Sequence, residues 1–177
     1  MGEKVTCIDD EMPYEIPASW RWCRFSTVIE LQSGQDLTPD KYNAVGKGIP
    51  YLTGASNILE GAVIINRWTE HPRSLARKGE ILLTCKGTVG TMAILQENEV
   101  HIARQIMSVK PHQMMSTEYV RLVLTTLVDS LKAAAKSMIP GISRDDVLTS
   151  LIPIPPLAEQ KRIVEKMEEL KSLVKPM

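Results

Sequence analysis

The sequence predicts an α+β fold: a twisted, mostly antiparallel or mixed β-sheet with flanking helices, followed by a protruding C-terminal α-helix of the coiled-coil type. Short apolar runs alternate with glycine turns between residues 27 and 109, which is typical of a sheet. An amphipathic stripe follows residue 117, and a charged segment with a narrow apolar seam follows residue 155; both patterns indicate helices. A hydrophobic content of 44% and a charged content of 24% are ordinary for a globular protein.

Composition excludes several classes of protein. The sequence has no run of 18 apolar residues and no secretory pattern at its start, so we expect a cytoplasmic protein without a membrane partner. The three cysteines are odd in number, and neither they nor the three histidines show the spacing of metal ligands. We therefore expect free thiols and no bound metal.

The chain divides into three predicted parts. Residues 1–17 are acidic and interrupted by two prolines, which predicts an extended linker. Residues 18–154 form the predicted body, which opens with an aromatic cluster between residues 20 and 25. Residues 155–177 form a predicted, partial spacer or dimerisation helix that is entered through a pair of prolines, since proline suits the first position of a helix.

Six strands are predicted in the first part of the body. Each is a short run rich in apolar and β-branched residues, and glycine-containing turns separate the runs. The predicted strands are residues 28–31, 49–52, 63–65, 81–84, 92–95 and 106–109. Their spacing of about 12 to 20 residues suits antiparallel or mixed pairing rather than regular βαβ units.

Two helices are predicted in the second part of the body. Ser116 or Thr117 can cap a helix that Glu118 favours electrostatically in its first turn, and its apolar stripe indicates packing on the sheet. Ser143 is predicted to cap a second, shorter helix. The proline-rich residues 152–156 must be extended, because each proline biases its predecessor away from the helical conformation.

The final helix carries its apolar side chains on a narrow seam with 4-3-4 spacing. The residues predicted to face a partner helix are Gln160, Ile163, Met167, Leu170 and Val174. Two arrangements fit this pattern. The seam pairs with a helix of a second copy or of a partner subunit, or the helix folds back onto its own domain.

No catalytic motif is recognisable. The sequence has no phosphate-binding loop, no nucleophile elbow and no zinc-protease signature. A nuclease would have to combine Asp40 with Glu159, but these residues are more than a hundred positions apart and Glu159 begins the charged helix. We therefore predict that the chain is not an enzyme.

Three glycine-flanked polar segments are candidates for contact with DNA. Arginine, lysine, asparagine and glutamine read base edges, while hydroxyl groups and lysine hold phosphates. The candidates are Lys47, Thr53, Ser56 and Asn57 in the first segment, Lys86 and Thr88 in the second, and Arg104 and Gln105 in the third. Each segment also fits an ordinary surface turn, and the third also fits the start of a buried strand.

Charge is unevenly distributed along the chain, although the net charge is zero. Residues 1–40 carry three basic and eight acidic side chains, whereas residues 41–136 carry twelve basic and seven acidic ones. Because the acidic lead would repel phosphates, the sequence places the DNA-contacting face in the middle of the chain.

Six short segments, taken together and in this order along the chain, indicate a protein family. They are residues 16–22, 32–34, 48–52, 78–84, 87–90 and 152–164. The last contains Pro-Pro-Leu-x-Glu-Gln-x-x-Ile-Val, which is the most specific pattern in the chain. Over about residues 13–174, the sequence resembles one target-recognition domain of the specificity subunit of a Type I restriction–modification enzyme, with the beginning of its spacer helix.

The resemblance implies a non-catalytic reader of double-stranded DNA. Each domain of such a subunit recognises one half of a bipartite site, and the subunit docks methyltransferase (modification) subunits in a complex that also holds a restriction subunit. S-adenosylmethionine, Mg²⁺ and ATP would belong to those partners, so we expect no cofactor on this chain. With one domain, the chain would be a fragment or a half-subunit that forms a homodimer through its C-terminal helix. The alternatives are a helical interaction adaptor that does not bind DNA and an enzyme whose site is unrecognised.

Overall fold

The computed structural model describes residues 7–134 and 141–173. Its strands are β1 Arg21–Arg24, β2 Ile29–Ser33, β3 Ile49–Leu52, β4 Ile58–Leu59, β5 Ala62–Val63, β6 Trp68–Thr69, β7 Leu75–Arg77, β8 Ile81–Thr84, β9 Met92–Ile94, β10 Glu99–Ile102, β11 Ile106–Pro111 and β12 Leu151–Ile154. Its helices are α1 Thr117–Ala134, α2 Arg144–Leu148 and α3 Leu157–Leu173. The predicted α+β class is confirmed. Within these ranges, no helix has the length and apolar content that crossing a bilayer requires.

A four-stranded antiparallel sheet in the order β2-β11-β8-β9 lies at the centre of the fold. Every residue of β8 is buried, because both faces of this sheet are covered. Ile81 and Leu83 belong to a core shared with the helices, whereas Leu82 belongs to a second core on the opposite face. The uninterrupted apolar run of β8 is thus explained by its doubly covered position.

A second four-stranded sheet, in the order β6-β3-β10-β7, covers the far face of the central sheet. β3 and β10 are parallel, and the other neighbours are antiparallel. Leu52 of β3 and Ile102 of β10 pack with Leu82 in the core between the two sheets. This parallel pair brings the carboxyl ends of two distant strands to one edge.

Helix α1 covers the other face of the central sheet. Its buried residues are Tyr119, Val120, Leu124 and Val128, which recur at the spacing of one helical face. The hydroxyl of Ser116 accepts a hydrogen bond from the amide of Tyr119 at 3.3 Å, so the predicted capping role is confirmed. The helix removes from water the apolar face that the sheet could not bury alone.

The segment after α1 leads back to the beginning of the described chain. Ser143 caps α2 through a reciprocal capping box with Asp146, as the sequence predicts. β12 then pairs antiparallel with β1, which places Pro153 opposite Trp22. The predicted extended conformation is confirmed for the residues of β12, and this two-stranded ribbon leads directly into α3.

Helix α3 packs against the body at its start and exposes apolar side chains near its end. Ile163 and Val164 pack against the core shared by the central sheet and the helices. Leu170 and Leu173, further along the helix, are 45% and 72% exposed. The first half of the helix is therefore folded onto its own domain. The second half still runs beside α1, since Met167 lines a groove between the two helices, but it leaves its last apolar side chains exposed.

Candidate nucleic-acid interface

Four connecting loops meet at one end of the two sheets, and we call this surface the loop face. It consists of residues 34–36 after β2, 53–57 after β3, 85–91 between β8 and β9, and 103–105 between β10 and β11. The parallel pairing of β3 with β10 brings two of these loops together. The antiparallel neighbours of β11 bring the ends of β8 and β2 beside its start. All three predicted polar segments therefore contribute to this surface.

The turn between β10 and β11 is fixed by hydrogen bonds to two neighbouring segments. The amide of Ala103 donates to the carbonyl of Leu52 at 2.9 Å, and the carbonyl of Gln105 accepts from the amide of Cys85 at 2.8 Å. Arg104 and Gln105 are both exposed, and β11 begins one residue later. The interpretation of these two residues as the start of a buried strand is therefore wrong, since a fixed backbone presents both side chains to solvent.

The side chain of Gln105 lies between two of the glycine-containing loops. A Cβ atom on Gly54 would collide with its Oε1 atom, and one on Gly87 would lie 3.9 Å from the same atom. Glycine at position 54 thus permits a close approach that a larger residue would prevent. The three segments that were separate in the sequence contact one another at this point.

Arg104 is held by the carboxylate of Asp36, which is not among the contact residues that the sequence predicts. Oδ2 of Asp36 lies 2.8 Å from Nε of Arg104, and Oδ1 accepts a hydrogen bond from the Arg104 amide at 3.1 Å. The Arg104 side chain remains 68% exposed. Asp36 is not predicted because the net negative charge of residues 1–40 argues against a DNA-contacting role for that segment. The glycine turn that precedes it was the only available signal.

Lys86 and Thr88 lie exposed in the loop between β8 and β9. The carbonyl of Thr88 accepts a hydrogen bond from the Thr84 hydroxyl at 2.7 Å, which folds the loop back onto the end of β8. Beneath it, the Cys85 thiol lies 3.7 Å from the Arg104 carbonyl. Burial raises the pKa of Cys85, so this thiol remains protonated and supports the turn rather than acting as a nucleophile.

Asn57 has a structural role, and the prediction that it reads a base edge is wrong. The residue is fully buried. Its Oδ1 accepts from the Thr53 amide at 2.9 Å and from the Thr53 hydroxyl at 3.1 Å. Its Nδ2 donates to the Ile64 carbonyl at 2.8 Å. Both ends of the amide group thus hold the loop together, and Ser56 is the exposed polar side chain beside them.

Lys47 does not lie on the loop face. It precedes β3, whereas Thr53 follows that strand, and four residues of strand span about 13 Å. The Nζ atom of Lys47 instead lies 2.9 Å from Oε2 of Glu70. The prediction that Lys47 acts in one segment with the residues after β3 is therefore corrected.

The carboxylates considered for a nuclease site have local structural partners. Asp40 accepts a hydrogen bond from the Thr38 hydroxyl. Glu159 accepts the indole N–H of Trp20 at 3.0 Å, which ties the start of α3 to the start of the body. In the described ranges, no three histidine, cysteine, aspartate or glutamate side chains are grouped closely enough to hold a metal ion.

Gln160 does not face a partner helix, and its predicted role is wrong. The side chain is fully buried, and its Oε1 accepts from the Ser116 amide at 2.8 Å. Its Nε2 donates to the carbonyls of Pro155 at 3.0 Å and Met114 at 3.2 Å. These bonds join the first turn of α3 to the segment that begins α1.

The rest of the seam divides into a covered and an uncovered part. Ile163 packs against the core, and Met167 lines a shallow groove between α1 and α3. Leu170 is exposed, while Val174 lies outside the described residues. The uncovered part of the described seam is thus its C-terminal end.

Comparison with known proteins shows which family the chain belongs to. Residues 19–175 match the family described as the Type I restriction modification DNA specificity domain. The chain belongs to this family. The resemblance identified from the sequence is therefore confirmed. The curated relatives that it matches are specificity subunits of Type I restriction enzymes.

Individual relatives agree with this assignment. The EcoBI specificity subunit of Escherichia coli is 29% identical over 176 residues, which covers 88% of this chain and 35% of that subunit. The EcoAI specificity subunit of the same organism is 22% identical, with coverages of 92% and 30%. The crystal structure of the HsdS subunit from Thermoanaerobacter tengcongensis superposes with a TM-score of 0.81 at 26% identity, with coverages of 92% and 40%. The chain spans 30 to 35% of the length of the two E. coli relatives.

Proposed function

We propose that this chain is a non-catalytic DNA-recognition unit that reads one half of a bipartite duplex site for a Type I restriction–modification system. The observation that carries the proposal is the loop face, where a fixed turn presents Arg104 and Gln105 near the exposed Lys86 and Thr88. Arginine and glutamine match the major-groove edges of guanine and adenine, while lysine and hydroxyl groups hold phosphates. Family membership supports the same function.

A binding titration tests this proposal. Fluorescence anisotropy with labelled random-sequence duplexes at low salt should detect association, which Lys86→Ala should weaken. Lys110→Ala is the matched control, because Lys110 lies toward the other end of β11 and pairs with Glu30 at 3.0 Å. Absence of duplex binding, or equal weakening by the control variant, would contradict the proposal.

We also propose that the C-terminal part of α3 docks modification subunits or the equivalent helix of a second copy. In this arrangement residues 18–154 form the DNA-reading body and residues 155–177 form the beginning of the spacer. Leu170 and Leu173 support this proposal, since exposed apolar side chains on an otherwise charged helix suit a helix–helix contact. S-adenosylmethionine, Mg²⁺ and ATP would bind the partner subunits.

Two measurements separate this function from its alternatives. An interaction adaptor would associate through α3 but would show no affinity for duplex DNA in the anisotropy titration. An unrecognised methyltransferase would bind S-adenosylmethionine, which isothermal calorimetry on the isolated chain measures directly. We expect DNA binding without detectable S-adenosylmethionine binding, and without methyl transfer or DNA cleavage by the chain alone.

A further inference from the structure

We infer that Asp36 is a positioning residue that fixes the guanidinium group of Arg104 so that it selects guanine at one position of the DNA site. The inference rests on the proposed function and adds a residue from the acidic segment. It also assigns Arg104, on the loop face, to the recognition of one guanine. Two observations support it: the carboxylate contacts the inner atoms of Arg104, and both residues are held by the neighbouring backbone.

The carboxylate contacts the inner end of Arg104. Its oxygens lie 3.1 Å from the backbone amide and 2.8 Å from Nε. A hydrogen bond at the amide and an ion pair at Nε restrict the direction of the side chain, which stays 68% exposed. We infer that the edge with the two terminal nitrogens is available to a base. This edge is a planar fork of donors, and the O6 and N7 atoms of guanine are a matching pair of acceptors.

Both residues of the pair are anchored to the same strand, β10. The amide of Gln35, next to Asp36, donates to the Ile102 carbonyl at 2.9 Å. A Cβ atom on Gly34 would collide with the Ala103 carbonyl, so glycine permits the two loops to approach this closely. Arg104 is therefore preorganised, and binding a base would order fewer side-chain rotamers than a free arginine requires.

Folding stability does not account for this pair. The side chains of Arg104 and Asp36 are 68% and 47% exposed, and ion pairs with such exposure contribute little to stability. A carboxylate on a surface that approaches phosphates also weakens nonspecific attraction. A carboxylate at this location is explained if it orients the guanidinium group toward a base. Such orientation can increase sequence specificity even when it does not increase overall affinity.

Selection from a random duplex library, followed by sequencing, tests the inference. The wild-type chain should enrich a motif that contains a guanine. Arg104→Lys keeps the charge but loses the fork, and Asp36→Asn removes the carboxylate. Each should reduce the preference for that guanine by about tenfold, within the range expected for a good bidentate contact. Preferences at the other positions of the motif should remain unchanged.

Matched variants separate positioning from other effects. Asp36→Glu should largely retain the guanine preference because it restores the carboxylate. Glu30→Gln removes one negative charge from an exposed ion pair away from the loop face and should leave the motif unchanged. Combining Asp36→Asn with Arg104→Lys should cost no more than Arg104→Lys alone, since the two residues act as a unit.

The possible failures are distinguishable. If the wild-type chain enriches no sequence, the proposed function itself is contradicted. If it enriches a motif that neither Asp36→Asn nor Arg104→Lys alters at any single position, the inference is overturned while the function stands. Loss of preference at all positions together with a lower unfolding temperature would make Asp36 a structural residue, which also overturns the inference.

Discussion

At the scale of single residues, burial separates the polar side chains that hold loops from those that are free to meet a partner. Asn57 and Ser56 are adjacent in sequence and equally suited to hydrogen bonding, yet one is fully buried and the other exposed. The sequence predicts both as contact residues because residue type does not reveal which side chain turns inward. The structure assigns to Asn57 the task of closing the loop after β3.

Replacing Asn57 by alanine should destabilise the fold. The change leaves the buried partners of its amide group without hydrogen bonds, which costs about 1–3 kcal/mol for each group that stays unpaired. Urea denaturation should show a lower midpoint with an unchanged slope. Ser56→Ala is the control, and an exposed substitution of this kind should stay within about 0.5 kcal/mol of wild type. Equal stabilities of the two variants would contradict the structural role of Asn57.

His101 should make stability depend on pH. The ring is fully buried against Tyr51 at 4.9 Å between ring centroids, and burial lowers its pKa from the ordinary value of 6.5. The unfolded chain therefore takes up a proton at a higher pH than the folded chain does. Stability from the neutral ring is fully present above about pH 6.5 and is lost as pH falls below it.

Urea denaturation between pH 7.5 and pH 5.5 measures this effect. His101→Gln should flatten the decline in midpoint at acidic pH, although it lowers stability at neutral pH. His71 is exposed, so His71→Gln should leave the wild-type decline in place. An identical decline in the His101 variant would show that other groups control the acid sensitivity.

At the scale of secondary-structure elements, helix α3 combines two functions that a single periodic pattern does not distinguish. The 4-3-4 seam correctly predicts the helix. It does not indicate that Ile163 meets the core while Leu170 remains exposed. Gln160 lies on the same side of the helix as the apolar residues. It can be buried there because its amide group pairs with backbone groups at the beginning of α1. A polar residue in an apolar register can thus be the most buried residue of its helix.

Substitutions at the two parts of this seam should therefore have different consequences. Ile163→Asp places a charge against the core and should lower the unfolding temperature markedly, because an unpaired buried charge is costly. Leu170→Asp should leave the unfolding temperature nearly unchanged and reduce association with a partner helix. Differential scanning calorimetry and light scattering measure the two effects. A loss of association without destabilisation in Ile163→Asp would mean that this residue is free for the partner.

The sequence predicts the strands of the central sheet better than those of the second sheet. β8 and β11 have long apolar runs because they are covered on both faces, and the predicted bounds 81–84 and 106–109 lie within two residues of the observed ones. Three strands of the second sheet, β6, β7 and β10, have only two to four residues each and include charged or polar side chains. Their sequences therefore do not show the apolar run or alternation that predicts a strand. The parallel pairing of β3 with β10 assembles the loop face, and no local pattern specifies such a long-range contact.

At the scale of the whole molecule, a net charge of zero is compatible with DNA binding because the charges on different surfaces are paired to different extents. Lys47 and Lys110, away from the loop face, are paired with Glu70 and Glu30. On the loop face, Asp36 is neutralised by Arg104. Lys86 forms no ion pair with another residue of the described ranges. The charge count of the sequence therefore underestimates the positive potential that this one surface can present.

The salt dependence of binding measures this organisation. Each phosphate contact made by a lysine releases a condensed counterion, which steepens the fall of the logarithm of affinity with the logarithm of salt concentration by about one unit. Lys86→Ala should therefore reduce the slope by about one on every duplex, cognate or random, because phosphates carry no sequence information.

Lys110→Ala removes the same charge from a paired lysine near the other end of β11, so it should leave the slope unchanged. The comparison is independent of any assumption about which base is read. A slope that falls equally in both variants would mean that the protein attracts DNA through its overall charge. A slope that falls only in the Lys110 variant would place the DNA at the opposite end of the sheets.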